Sequence, residues 1–245
     1  MTRSASKIRL YVDAPLAAGA SVALQRDQAH YLGGVMRRQV GDQIALFNGQ
    51  DGEWMAEIGH INKRAAALSC TEQSAPQTSP PDLWLLFAPI KKARTDFIVE
   101  KAAEMGARRI QPVFTQHTNA ERVKPDRMRA HAIEAAEQCG GVFVPEVADP
   151  AKLSAVLSDW DTSRRIMFCD ETATNSDAQA ALKAAGPGPW AILIGPEGGF
   201  SAEEIKRLRA MDHATPVSLG PRILRADTAA VAALALWQAT LGDWG

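Results

Sequence analysis

The chain has 245 residues, 46% apolar and 22% charged, with a formal net charge of −1 at pH 7, which suits one large globular domain or two smaller ones. That balance excludes a strongly basic nucleic-acid binder but leaves room for a local basic patch. Three cysteines (Cys70, Cys139, Cys169) and five histidines without ligand spacing argue against a disulfide framework or a zinc site. The expectation is a metal-free cytoplasmic protein, with no basic-then-apolar leader and no apolar run of the ~18 residues a membrane span needs.

Short alternating segments come first. KIRLYV puts Ile8, Leu10 and Val12 on one face, and ASVAL repeats the pattern with Val22 and Leu24. A short helix from Asp27 to about Met36 follows. DQIALF and EWMAEI then flank the turn-rich NGQDG as a hairpin. Five or so strands in residues 1–72 predict a small β-barrel. QSAPQTSPPD, residues 73–82, holds three prolines and no branched aliphatic residue, so it reads as a linker.

From residue 83 to 245 strands alternate with helices: LWLLFA, a helix over 95–105 ended by Gly106, IQPVF, and a helix over 126–139 ended by Gly140. IMFC, a helix near 177–185, AILIG, a helix opened by the Ser201–Glu204 capping box, PVSLG and a last helix over 227–241 complete the series. Continuous apolar strands between amphipathic helices predict a parallel sheet covered on both faces. The last helix has hardly a polar face, which predicts burial all round. A second subunit is the expected cover, an ordinary core position the alternative.

Two of these strands end in adjacent Gly/Pro loops, GPEGGFS after AILI and GPRILRADT after PVSL. Strand ends of this kind are where open α/β sheets bind ligands. Phe200 stands where a phosphate loop needs lysine, and the glycine spacing is wrong for a dinucleotide fingerprint. Backbone exposed at Gly195, Gly198, Gly199 and Gly220, and the aliphatic Ile194, Leu219, Ile223 and Leu224, suit an adenine ring with a neutral ribose. S-adenosylmethionine (SAM) is such a ligand.

LIGPEGGFSAEE paired with SLGPRILRADTAA, together with KKARTDFIVEKAAEMGARRIQPV, EAAEQ and HYLGGVMRRQVGDQIALFNGQDGEW, closely resembles the bacterial 16S ribosomal RNA uridine N3-methyltransferases of the RsmE type, in the SPOUT superfamily. The resemblance covers essentially the whole chain. It implies a PUA-like barrel followed by an α/β domain with a C-terminal trefoil knot. It also implies a SAM pocket built from the two loops, Pro196 included, and completed across a homodimer, with 16S rRNA or the small ribosomal subunit as substrate. Three departures stand out: Gly141 where the family commonly has arginine, Asp227 where it has glutamate, and TQHTNAER in place of a serine-rich ERS segment.

Uridine N3 must lose its proton before it attacks a methyl group, which calls for a base or for charge that stabilises the anion. Arg225, beside the second loop, is the expected electrostatic stabiliser. Glu197 is a base, an orienter of the cofactor, or a cap for its own loop. Asp170 and Glu171 either line the pocket or form a solvated turn. Residues 1–38 carry a net +4 and residues 91–131 a net +5, so Arg9, Arg37, Arg38, Lys91 and Lys92 are the expected phosphate contacts. A SPOUT ribose 2′-O-methyltransferase or a non-catalytic RNA-binding protein are the alternatives.

Overall fold

The computed structural model describes residues 8–119, 123–170 and 177–245; Glu171, and Arg3, Lys7, Glu121 and Arg122 of the charge counts, lie outside them. Two compact units emerge: residues 1–79 with 136–144, and residues 80–135 with 145–245.

The first unit is a five-stranded sheet in the order β1-β3-β4-β5-β2, from β1 (Arg9–Tyr11), β2 (Ser21–Leu24), β3 (Gln43–Phe47), β4 (Glu53–Ile61) and β5 (Ala66–Ala75). The expected period-two face is its core: Ile8, Leu10, Val12, Val22 and Leu24 are buried with Ile44, Leu46, Ile58 and Leu68. At the end of the β3–β4 turn Gly52 has φ +79, and a Cβ there would collide with the carbonyl oxygen of Ala75, so only glycine fits.

Two expectations change here. The helix over 27–36 is shorter: α1 spans Arg26–His30 and passes into a π-helical turn, Tyr31–Val35, where Gly33 and Gly34 have weak helical preference. The linker starts later than residue 73, because β5 stays paired with β4 to Ala75. There Ser74 Oγ donates to the Glu53 backbone oxygen at 3.2 Å and Gln73 Nε2 to the Asp51 oxygen at 3.0 Å.

Arg9 also takes a different place from the expected one. Its Nη1 donates to the carbonyls of Ala136 and Glu137 at 2.6 and 2.9 Å, Nη2 to that of Gly141 at 2.7 Å, and Nε to the Glu53 carboxylate. The side chain is 13% exposed. With its donors spent on carbonyls at a helix end, Arg9 is an internal cross-link and not a phosphate contact.

The second unit is an all-parallel sheet in the order β12-β10-β11-β6-β7-β8, with β9 also on β7. Its strands are β6 (Leu83–Phe87), β7 (Arg109–Phe114), β8 (Glu146–Val147), β9 (Ala151–Lys152), β10 (Arg165–Cys169), β11 (Trp190–Ile194) and β12 (Ala214–Val217). The helices are α2 (Lys92–Glu104), α3 (Pro125–Cys139, whose residues 136–139 belong to the first unit), α4 (Leu153–Ser158), α5 (Ala178–Ala185), α6 (Ala202–Arg209) and α7 (Ala226–Leu241). Every residue of β11 is buried, as expected of a strand covered on both faces. Gly106 and Gly140 have φ +76 and +78; Gly106 ends α2 as its C′ residue, and Gly140 directly follows α3. The capping box at Ser201 is complete. β12 ends at Val217, releasing Ser218–Gly220 to the following loop.

Helix α7 is buried on one face only. Ala230, Ala233, Leu234 and Trp237 are inside, while Val231, Ala235 and Leu236 are half-buried. Its one mid-helix amide, Gln238, is 1% exposed and donates to the Met105 carbonyl at 2.6 Å, tying α7 to the end of α2.

Candidate active site

β10 lies between β12 and β11, with Cys169 opposite Val217 and Phe168 opposite Leu193. The loops after β11 and β12 therefore leave the sheet on either side of the β10 end, all at the carboxyl edge. A cavity of about 910 Å³ opens there, within the size range of cofactor pockets. Ile194, Gly195, Pro196, Glu197, Gly199, Leu219, Gly220, Ile223, Leu224 and Arg225 line it, so nearly all the expected cofactor residues converge.

The loops hold their shape through glycine. The Gly199 N–H closes a turn on the Pro196 carbonyl at 2.9 Å with φ +67 at Gly199, and Gly220 has φ +111; both are conformations that side chains avoid. A Cβ on Gly195 would stand 3.1 Å from the Phe200 ring, and that ring is itself part of the lining. Gly198 differs from its neighbours. It is absent from the lining, and a Cβ there would approach the His117 Cβ at 3.4 Å. His117 Nδ1 lies 3.2 and 3.3 Å from the Gly198 and Gly199 carbonyls. Gly198 thus packs against the 115–119 loop.

The charges sort into satisfied and free. Asp170 is no solvated turn: its carboxylate is 1% exposed and is held by Arg209 at 2.6 Å, within the cavity lining. Glu197, half exposed at the lip, pairs with Arg94 at 3.2 Å, and the Arg94 Nε lies 3.7 Å from Asp227. Lys91, Arg222 and Arg225 also line the cavity, and their side chains make no hydrogen bond or ion pair among the described residues. Lys92 is exposed one residue beyond Lys91. Burial pushes the Cys169 thiol up to about 12, so it stays protonated and offers no competing nucleophile.

Arg94 is the residue that sequence reasoning missed. One signal was present: the start of α2 reads Lys91, Lys92, Ala93, Arg94, with no acid in its first turn. Cations at a helix N-terminus oppose the macrodipole, which implies that they serve something outside the helix.

Residues 77–238 match the model of the RNA methyltransferase domain and residues 24–69 that of the RNA methyltransferase PUA domain. These set the class: an α/β RNA methyltransferase with an N-terminal PUA-like domain. The chain is 29% identical to the ribosomal RNA small subunit methyltransferase E of Rickettsia conorii, over 93% of each chain. It is 33% identical to that of Synechocystis over 91% of this chain and 74% of the relative. A Legionella pneumophila chain solved with the bound cofactor SAM has a TM-score of 0.87 and 30% identity, over 96% of this chain and 98% of that one. The chain belongs to the ribosomal RNA small subunit methyltransferase E family.

Proposed function

We propose that the protein is a SAM-dependent methyltransferase that methylates N3 of a uridine in 16S ribosomal RNA, in the cytoplasm. The observation that carries the reading is the cavity at the β10–β11–β12 edge, where glycine-shaped loops present backbone and aliphatic surface beside cations that have no partner among the described residues. The activity for which the relatives are named and the SAM held by the Legionella chain support it. The lining fits the cofactor: Ile194, Leu219 and Leu224 offer apolar faces for an adenine, and Gly195 and Gly220 leave main chain bare. When bound, SAM supplies a sulfonium methyl group for transfer.

Glu197 is engaged by Arg94, so its role is to orient what binds at the lip. Arg225 has no partner among the described residues, and its guanidinium at the start of α7 stabilises the negative charge that develops on the uracil ring as N3 loses its proton. Lys91, Lys92 and Arg222 are positioned for flanking phosphates, and within the first unit Arg37 and Arg38 are cations of the same kind.

The same reading includes residues 1–72 as an RNA-gripping PUA-like barrel and residues 83–245 as the catalytic domain. It includes a trefoil knot. β12 follows β11 in sequence yet pairs on the far side of β10, and α7 returns to pack on α2, α5 and β11, a path that supports threading. The half-buried stripe of Val231, Ala235 and Leu236 supports a homodimer. Mass spectrometry of 16S rRNA nucleosides from a deletion strain tests the activity. Loss of 3-methyluridine is expected; loss of a 2′-O-methylated nucleoside would move the reaction to the ribose. An unchanged profile with no calorimetric heat for SAM would leave an RNA-binding protein.

A further inference from the structure

Three unusual features of the first unit fall within ten residues. The chain leaves α1 through a π-helical turn, Tyr31–Val35, a form that is rare and concentrated at functional sites. Two residues later Arg37 has φ +52, the only positive φ on a non-glycine among the described residues. Such strain persists only where the surroundings impose it. Here the Met36 and Arg38 N–H groups reach back to the carbonyls of Tyr31 and Leu32, each at 2.9 Å, while the Leu32 side chain is fully buried. Third, Tyr31, Val35 and Val40 are 37%, 60% and 62% exposed, three of the six exposed large apolar side chains among the described residues.

The charge around this patch is mainly basic. Arg37 is exposed, and its side chain makes no hydrogen bond or ion pair among the described residues. Arg38 makes a long contact with Asp42, 3.8 Å. A Cβ on Gly33 would lie 3.4 Å from the Ile61 Cδ1, so the end of β4 packs beside the π-helical turn. The exposed Lys63 and Arg64 follow Ile61 in a turn fixed by the Asn62 Oδ1, which accepts from the Arg64 and Ala65 N–H groups at 2.8 and 2.9 Å.

We propose that this surface, Tyr31, Val35, Arg37, Val40, Lys63 and Arg64, grips an unpaired RNA strand, with base faces on the apolar residues and phosphates on the cations. The reading rests on the RNA substrate proposed above and adds which form of RNA the first unit holds and with what. A paired helix hides its base faces and would leave Tyr31, Val35 and Val40 in water. An unpaired strand offers both base faces and phosphates, and stacking on an exposed aromatic ring is the common mode for it. Glycine would hold the backbone of residue 37 without strain. An arginine there implies that the guanidinium is used.

Full-length protein is titrated into a labelled 20-nucleotide single-stranded RNA of mixed sequence, and into the same strand annealed to its complement. Arg37→Gly preserves the backbone conformation, so its melting temperature is equal to or above the parent's. Its affinity for the single strand falls about fivefold or more, and its salt slope falls by about one. Tyr31→Ala lowers single-strand affinity about five- to a hundredfold and leaves duplex binding unchanged. Parental affinity in both variants, or equal effects on strand and duplex, overturns the proposal. So does normal RNA binding with lost binding to purified small subunits, since the patch would then face a protein. Calorimetry with SAM is unaffected by either substitution. Absence of that heat in the parent, with patch-dependent RNA binding retained, would sink the methyltransferase reading alone.

Discussion

Arg94 and Glu197 stand 103 residues apart in the chain and 3.2 Å apart in space. The same guanidinium lies 3.7 Å from Asp227, so one side chain from the first turn of α2 ties the loop after β11 to the start of α7. The Asp227 Oδ1 also accepts from the Thr228 N–H at 2.9 Å, which fixes the carboxylate against its own helix. With the Arg94 side chain 30% exposed, solvent screens these pairs, and each is worth no more than about 1 kcal/mol. Arg94→Ala is therefore expected to weaken SAM binding by about three- to tenfold in calorimetry. Arg94→Ala and Glu197→Gln together should cost less than the sum of the two. Strict additivity would mean that the pair does not shape the pocket.

Arg225 makes the opposite case. Its side chain makes no hydrogen bond or ion pair among the described residues, so Arg225→Ala is expected to leave cofactor affinity within about twofold. Turnover on 16S rRNA falls by about a hundredfold, the loss seen when one preorganised donor to a developing anion is removed. Single-turnover methyl transfer at saturating SAM separates the two effects. Equal losses in affinity and rate would make Arg225 a binding residue.

The glycines of the two loops are not equivalent. Gly220→Ala puts a side chain at φ +111, costing on the order of 1–3 kcal/mol of local strain. Gly195→Val drives its side chain into the Phe200 ring. Both should reduce SAM affinity at least tenfold. Gly198→Ala meets only His117, so it should reduce affinity least of the three. The reverse ranking by calorimetry would place the cofactor on the other side of the loop.

Asp96, on α2, accepts from Arg127 Nε and Nη2 at 2.9 and 2.6 Å, and its Oδ1 lies 3.5 Å from His131. The hydrogen bonds from Arg127 hold its carboxyl below the usual carboxylate range, against a smaller opposing effect of burial. A lowered folded-state pKa means that the unfolded chain binds the proton more tightly, so this contribution to stability is complete above pH ~4. It fades as pH drops through the folded value. Asp96→Asn should destabilise the protein by about 1–3 kcal/mol at pH 7 and by progressively less below pH 4. A difference that stays constant over that range in denaturant titrations would assign the effect to packing.

Much of this was readable in the sequence because it depends on local rules. Period-two alternation placed Ile8, Leu10 and Val12 inside, and the apolar runs LWLLF and WAILI became central parallel strands. Ser201–Glu204 opened its helix as a capping box must. The glycine loops gave the cavity because their backbone geometry is written in residue type. What stayed hidden depends on partners far along the chain. Arg9 looked like surface charge until residues 136–141 met it, and Gly198 looked like its neighbours until His117 came beside it. Arg94 was indistinguishable from Lys92 until Glu197 and Asp227 converged on it. The two-residue strands β8 and β9 are too short to carry a period, and the π-helical turn has no simple sequence signature.

Arg9 supplies the sharpest separation of structure from binding. Its guanidinium satisfies three main-chain carbonyls and a Glu53 carboxylate that is 12% exposed. Arg9→Ala leaves that carboxylate, still bonded to Ser74 Oγ at 2.9 Å, without its cation in a poorly solvated site, and leaves the carbonyls of Ala136 and Glu137 without this donor. Removing one member of such a buried set costs about 3–5 kcal/mol. Arg9→Lys recovers part of this, because an ammonium replaces the charge but not the planar fork. The melting temperature should drop roughly 6–20 °C for Arg9→Ala, with affinity for single-stranded RNA nearly unchanged at a temperature where the variant is folded. Arg37→Gly should show the converse, full stability with weakened binding. If Arg9→Ala instead kept the parental melting temperature and lost RNA affinity, the guanidinium would have to leave its carbonyl partners to meet a phosphate, and the internal cross-link seen here would not be its working state.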